Sequence, residues 1–403
     1  MIPRILRIEV KNFRSIKQAA VNLEPFTVLV GPNGSGKSNF ARCIWIISNC
    51  LSDSIEYALS PSYGFEKFLY RGAGRNGNIG LRIIVQIEDN SFADYSFEIA
   101  ASQNGTLRVS HERCVVVRDS KIINEFEVKD GEFEKHIEGI HPQIRPGRLA
   151  LYAASATDSF RPLYDFLISM RYYNINPYEM KKHQGKNPSG DYLQFSGYNA
   201  ALILEQLTKA NGNRIKYERL CRLMKLIVND VEGVMYNESA KSIQFQVDGG
   251  SEEPWIFDIA QMSEGTLRVL GILLALYQGG QNSVICIEEP EAIVHPAAME
   301  VLVQAMLEVA HERQVIITTH SPDILDFKYI KAENIRIVTS KHSQTRIATV
   351  SESSRKIIRE HLSTPGELLR IDELNPDTEE ADNIASNIDI FGEPFSCLKL
   401  TDG

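Results

Sequence analysis

Apolar and polar residues alternate in "RILRIEV" near the start of the chain. Strict period-two alternation predicts a half-buried β-strand. A turn at "KNFRS" leads to a second short strand, "AAVNL". "FTVLV" then reads as a strand buried on both faces. The period changes at Lys37. In "KSNFARCIWIISNCL" apolar residues recur every three or four positions, the spacing of an amphipathic helix. Residues 79–140 return to strand-length runs: "IGLRIIVQIE", "SFADYSFEIAA", "TLRVSHERCVVV" and "KIINEFEVKDGEFEKHI". Asp-Asn, Asn-Gly, Asp-Ser and Asp-Gly pairs punctuate them, which predicts an antiparallel meander.

Helical spacing dominates 150–235, in "SFRPLYDFLISM", "YNAALILEQLTKA" and "RIKYERLCRLMKLIVNDV". A strand and a polar loop, "RYYNINPYEMKKHQGKNPSG", separate the first two. Strands return from 241 in "KSIQFQV" and "WIFDI", and the helix "EGTLRVLGILLALYQ" follows. Strand "SVICIEE", helix "PAAMEVLVQAMLEVAHE" and strands "QVIITT" and "NIRIVTS" complete an α/β pattern. Four parts are expected: an N-terminal lobe (1–150), a helical insert (151–240), a C-terminal lobe (241–375) and a tail (376–403). The tail is acidic and poor in apolar residues, so it is expected to be loosely structured. No repeat and no heptad run occurs, which excludes a long coiled-coil arm.

The net charge of −9 argues against coating nucleic acid through bulk charge. Six scattered cysteines without a CxxC pair read as reduced thiols. The charged, alternating start is unlike a signal peptide. "VLGILLALY" is shorter than the ~18 apolar residues of a membrane span. A soluble cytoplasmic chain without a membrane partner is the expectation.

"GPNGSGKSN" (Gly31, Pro32, Asn33, Gly34, Ser35, Gly36, Lys37, Ser38, Asn39) sits between the "FTVLV" strand and the first helix. It fits G-x-x-x-x-G-K-[ST], in which glycines let backbone N–H groups curl around phosphate oxygens. The helix that follows aims its positive end at them. Lys37 is placed to reach the outer phosphates of ATP and Ser38 to ligate Mg²⁺. "SVICIEEPE" ends a hydrophobic strand in paired acids: Glu288 is the expected Mg²⁺ ligand and Glu289 the base that polarises water. Alone, such a pair is equally an ordinary strand exit; the upstream phosphate loop tips the balance. His320, at the tip of "QVIITTHSP", is placed to sense the γ-phosphate. "MSEGT" (Ser263, Glu264, Gly265, Thr266) opens a helix and offers an anion site, although by itself it is merely a capped helix. "GAGRNG" is followed by a strand instead of a helix, which argues against a dinucleotide fold. "PDILDFK" crowds its aspartates onto one turn and reads as the loop after His320.

"GPNGSGKSN", "MSEGT", "CIEEPEAIVHP" and "ITTHSP", in this order, resemble the ABC-type ATPase heads, specifically their compact SMC/RecF-like branch. "LRIEVKNFRSI" resembles that branch's opening strand. The resemblance implies an ABC-ATPase-type P-loop core with an N-terminal β meander and an inserted helical lid. It further implies that Gly31–Ser38, Glu288, Glu289 and His320 of one copy bind ATP, while "MSEGT" of a second copy closes the site. The expected partner is therefore a second copy, as an ATP-dependent homodimer or higher oligomer, and "AIVH" (292–295) stands where a loop crosses between the two sites. Two variants stand out against the transporter pattern, "MSEGT" for LSGGQ and a glutamate as first Walker B acid, and slow hydrolysis is expected from them. The glutamine that in this family couples Mg²⁺ to the arm is not placed by the sequence; Gln86 is only a guess. No downstream acidic constellation of a Toprim nuclease is found in the sequence.

The load is read in two ways. One is DNA, in repair or anti-phage defence, contacted through Arg214, Lys216, Arg219, Arg222, Lys225, Lys181, Lys182 and Lys186. The other is an effector protein, a toxin or nuclease encoded nearby, held and released by the ATPase. A solvated basic face is the plainer account of those cations.

Overall fold

A computed structural model describes residues 2–59, 64–74, 77–101, 106–138, 140, 142–145, 147–182, 190–209, 213–250, 252–280 and 283–395. β1 (Arg4–Phe13) and β2 (Ile16–Asn22) form a hairpin whose turn holds Asn12 and Arg14 at positive φ. β3 (Phe26–Val30) enters the interior and is followed by the Lys37–Ser52 helix. The meander runs as predicted, through β4 (Ile79–Glu88), β5 (Ser91–Ala101), β6 (Leu107–Arg118), β7 (Lys121–Lys129) and β8 (Glu132–Lys135). With β2 and β1 it makes a seven-stranded antiparallel sheet in the order β2-β1-β4-β5-β6-β7-β8.

The Arg161–Ile168 helix leads into β9 (Arg171–Tyr173), and the helices Ala200–Lys209 and Arg214–Ile227 follow. β10 (Val231–Asn237), β11 (Ser242–Val247) and β12 (Trp255–Asp258) form a small antiparallel sheet ahead of the Glu264–Tyr277 helix. β13 (Val284–Glu288), the Pro296–Val309 helix, β14 (Gln314–Thr319), β15 (Ile335–Lys341) and β16 (Gln344–Thr349) come next. The central sheet has the order β16-β15-β3-β14-β13-β9, parallel except for the edge strand β16.

This sheet is covered on both faces, which is why its strands read as unbroken apolar runs. Leu29, Cys286, Ile316 and Val338 face the core shared with the Lys37–Ser52 helix and the meander. Their neighbours Val28, Val30, Ile287, Ile317 and Ile337 face the Glu264–Tyr277 and Pro296–Val309 helices. Alternation of side chains along a strand makes the division. It also splits the 151–240 segment, because β9 joins the sheet: Tyr172 lies in the first core and Tyr173 in the second.

Two elements depart from the sequence reading. The helix expected to continue to Val231 stops at Ile227, Asp230 takes φ 64, and "VEGVMYN" turns into β10. Tail residues 376–395 are built into the fold, where a loose structure is expected from their composition. Asp377 caps the Thr378–Ser386 helix, and Phe395 is buried against Ile84, Val115 and Val117. Arg82 donates to the carbonyls of Asp389 and Glu393, and Arg113 to those of Phe391 and Gly392. Hydropathy does not register such guanidinium-to-backbone bonds.

A buried acid in this lobe gives a pH test. Glu112 of β6 accepts from the Ala150 and Leu151 N–H groups and from the Tyr95 hydroxyl. Burial nevertheless pushes its pKa up to about 7, above the ordinary 4.5. The folded state therefore binds a proton that the unfolded chain has released. The corresponding stability is full below pH 4.5 and is lost as pH rises through about 7, roughly 3 kcal/mol in all. Denaturant midpoints of wild type and Glu112→Gln should diverge over that window, with the glutamine variant gaining as pH rises. Parallel curves would contradict the shift.

Candidate nucleotide site

The loops after β3, β14 and β13, three neighbouring parallel strands, converge at one edge of the central sheet, the usual place for ligands in an open α/β sheet. The phosphate-loop sequence sits there, and two of its glycines have physical causes. A Cβ on Gly31 would lie 2.0 Å from the Val338 carbonyl oxygen. Gly36 has φ 108, and a Cβ there would lie 1.9 Å from Thr345 Oγ1. Pro32, Asn33 and Gly34 are exposed at the loop's tip, while Ser35 is buried and Ser38 and Asn39 are half-buried at the helix start. Lys37 folds back into the loop, its Nζ donating to the carbonyls of Gly31 (2.7 Å) and Pro32 (3.0 Å). Burial lowers its pKa, and the charges of Glu289, Glu291 and Glu288 oppose that shift, so all three acids act on this ammonium.

Glu288 ends β13 as a buried carboxylate. One oxygen accepts from Asn174 Nδ2 at 2.8 Å, and Oε1 has no hydrogen-bond partner. Glu291 similarly leaves Oε2 buried and unpartnered, while its Oε1 accepts from the Thr319 hydroxyl (2.6 Å) and the His320 N–H (3.2 Å). A buried carboxylate oxygen without a donor is costly unless a cation completes it. Ser38 and Glu288 thus fit a Mg²⁺ ion whose remaining ligands would come from phosphate and water. Among the described residues no cluster of three or more His, Cys, Asp or Glu side chains could hold a metal by itself.

Glu289 takes φ 41, in the left-handed region, and its N–H donates to the carbonyl (3.0 Å) and hydroxyl (3.2 Å) of Thr318. Its carboxylate stands half-exposed, 3.7 Å from His320 Nδ1, which lies 3.6 Å from Glu291 Oε1. Both spacings exceed a hydrogen bond, so the imidazole is near the acids without being locked to them. Ser263 caps the Glu264–Tyr277 helix, accepting from the Thr266 N–H, and its hydroxyl is 2.9 Å from that of Thr266. Ser263 and Glu264 are exposed, whereas Thr266 is buried. Gly265 passes under the "AIVH" loop: a Cβ there would lie 2.8 Å from the Ile293 carbonyl oxygen. None of the hydrogen bonds described for these four residues reaches the phosphate loop.

Gln86 is a correction. It lies on β4, bonded to Arg4 and to the Asp89 carbonyl, within the meander sheet and not at the acids. The amide beside Glu288 belongs to Asn174, which follows β9. Sequence reasoning also missed Arg268, whose guanidinium is buried and donates to the carbonyls of Ile175, Glu288 and Glu289. One charge within the otherwise apolar "LRVLGILLALY" was the available signal, since a buried arginine must find acceptors.

The fold is similar to that of SMC-type ABC-ATPase heads. An "AAA ATPase domain" model matches residues 4–145, and one for "AAA domain, putative AbiEii toxin, Type IV TA system" matches residues 202–326. The chain is similar to the Old nuclease of Escherichia phage P2, 26% identical over 385 residues, covering 89% of this chain and 63% of that protein. It is also similar to the Retron Vc95 probable ATPase of Vibrio cholerae serotype O1 biovar El Tor, 23% identical over 374 residues. That match covers 77% of this chain and 68% of the relative, so the chain spans roughly two thirds of either protein's length. Among solved structures, an Smc head domain from Pyrococcus furiosus with an extended coiled coil, bound to the C-terminal domain of ScpA, superposes with a TM-score of 0.53 at 12% identity. It covers 90% of this chain and 100% of that one. A second SmcHead, bound to the C-winged helix domain of ScpA, gives 0.51 at 15% identity, over 88% of this chain and 99% of that one. Among the described residues no helix is long and apolar enough to cross a membrane.

Proposed function

We propose that this chain is an ATP-hydrolysing switch whose two copies close head-to-head around ATP, in a DNA-linked or anti-phage process. The observation that carries the reading is the meeting of Lys37, after the loop that follows β3, with Glu288 and Glu289 at the end of β13, just beyond β14 along the same sheet edge, with Glu288 Oε1 left unpartnered. In this reading the loop N–H groups and Lys37 hold the phosphates, and Ser38 and Glu288 hold Mg²⁺, which neutralises phosphate charge. Glu289 orients and deprotonates the attacking water, and His320, free of a fixed partner, turns toward the γ-phosphate. The exposed Ser263–Glu264 turn is the surface offered to a second copy's loop. Sharing a site between copies makes turnover depend on assembly, and the departures in "MSEGT" fit a slow enzyme.

The test is ATP turnover and solution mass of wild type and Glu289→Gln. The variant is expected to bind ATP, turn over at least ~10-fold more slowly, and accumulate as a dimer. Normal hydrolysis would remove Glu289 from its role. A monomer in saturating ATP would count against the shared site.

For the load, the basic residues are largely paired within the chain, which weakens direct DNA contact through them and keeps the effector reading as the alternative. Arg214, Arg219 and Lys225 are engaged by Glu218, Glu308 and Glu232, and Lys182 by Glu179. Lys181 donates to the Met262 carbonyl, and Lys216 is half-buried beside Arg313. Arg222 remains on the surface set, and Lys186 lies outside the described residues. Retention of a co-expressed neighbouring protein, with an ATPase rate that bare DNA leaves unchanged, is the result this reading expects.

A further inference from the structure

The phosphate loop is gripped from behind by a residue far along the chain. Thr345, at the start of β16, is 1% exposed. Its Oγ1 lies 2.8 Å from the Ser35 carbonyl oxygen and 2.7 Å from Ser15 Oγ. Asn39 Nδ2 donates to Ser15 Oγ at 2.7 Å, and Arg14 Nη1 donates to Asn39 Oδ1 at 3.3 Å. The Thr345 N–H donates to the Ser15 carbonyl (2.8 Å), which fixes the two segments to each other.

The direction of this chain follows from counting protons. A carbonyl only accepts, so the Thr345 hydroxyl proton goes to Ser35 O. Thr345 Oγ1 must then accept from the Ser15 hydroxyl, which itself accepts from the Asn39 amide. Every link has one permitted sense, running from the Arg14 guanidinium to the Ser35 carbonyl. The Ser35–Gly36 peptide is planar and trans, so holding its C=O at the back turns the Gly36 N–H toward the open side of the loop. Gly36, at φ 108 and pressed against Thr345, allows that orientation without a side-chain clash.

We propose that Thr345 is a positioning residue for nucleotide binding: it sets the Ser35–Gly36 peptide so that its N–H faces phosphate, and Ser15 holds Thr345 in that role. The proposal rests on the reading of the loop as an ATP site. It does not place Thr345 against the nucleotide.

The experiment is titration of a fluorescent ATP analogue, with turnover at saturating ATP, for Thr345→Val, Thr345→Ser and Ser15→Ala. Valine keeps the shape and removes the hydroxyl; its expected affinity loss is about tenfold, the effect of one buried carbonyl left without a donor. The rate at saturation should stay within about twofold, because the chemistry is untouched. Serine should restore affinity. Ser15→Ala should weaken binding in the same direction, and the Ser15→Ala/Thr345→Val double variant should lose little beyond Thr345→Val alone, as expected of one unit. Affinity unchanged in folded Thr345→Val overturns the proposal; should that variant fail to fold, unchanged affinity in Ser15→Ala does so. Lys37→Ala separates the two readings. If it binds the analogue as wild type does, the ATP site itself is refuted. If it alone loses binding, only the role of Thr345 falls.

Discussion

Lys37→Ala is expected to weaken ATP binding by two orders of magnitude or more, roughly 3 kcal/mol. The ammonium is stored where the ligand would need it, donating to two carbonyls of its own loop in a 4% exposed slot. Phosphate oxygens are stronger acceptors than carbonyls, so the donors of these two bonds would pass from loop to ligand without leaving water-excluded surroundings. Burial lowers the lysine's pKa, and the neighbouring Glu289, Glu291 and Glu288 oppose that shift. Alanine removes the donors and leaves those three acids facing the ligand's own negative charge. Lys37→Arg is not expected to rescue binding, since a planar fork does not fit the narrow space between Gly31 and Pro32. Titration of the two variants against wild type decides it, and near-normal affinity in Lys37→Ala would end the nucleotide reading of this loop.

What could be read from the chain beforehand was whatever is local. The phosphate loop is contiguous, and the β3 strand and Lys37–Ser52 helix on either side of it are each one run with one period. The meander was legible because its turns carry Asp-Gly and Asn-Gly pairs. The acids at the end of β13 and His320 just after β14 could be expected near one another because strand tips in a parallel sheet share an edge. The residues that hold these groups in place come from elsewhere. Thr345 lies 310 residues from Ser35, and Asn174 lies 114 residues from Glu288. An isolated Thr or Asn has no sequence pattern that betrays such a partner. Gln86 failed for the complementary reason: on a meander strand its neighbours are set by register, and register gave it Arg4. The tail escaped because its order comes from Arg82 and Arg113 binding main-chain carbonyls, which any sequence supplies.

Arg268→Met carries the largest stability effect and separates scaffold from chemistry. The guanidinium ties the strand exit after β13 to the chain that follows β9, donating to Glu288 O at 2.9 Å, Glu289 O at 2.8 Å and the Ile175 carbonyl. Its pKa is lowered by burial, while the acids Glu291, Glu289 and Glu288 favour the charged form. Methionine fills the space and removes an unfavourable buried charge, but it takes the arginine's donors from the Ile175 and Glu288 carbonyls and leaves the Glu289 carbonyl with only the Ala292 N–H. Each unsatisfied buried carbonyl costs about 1–3 kcal/mol, so a net loss of roughly 3 kcal/mol survives the gain from removing the charge. Lysine should not rescue, because a single ammonium lacks the spread of a fork that reaches carbonyls on two segments. The more telling result is kinetic. Glu289 sits at φ 41, a conformation held by Thr318 on its N–H and by Arg268 together with the Ala292 N–H on its carbonyl. Loss of Arg268 frees that peptide to relax, which moves the carboxylate and lowers turnover while Lys37 and the loop still bind ATP. A variant that loses stability and turnover together, with ATP affinity within a few-fold of wild type, is the expected outcome. Undiminished turnover in the folded variant would mean that Glu289 keeps its place without the arginine, and that the buried guanidinium serves the fold alone.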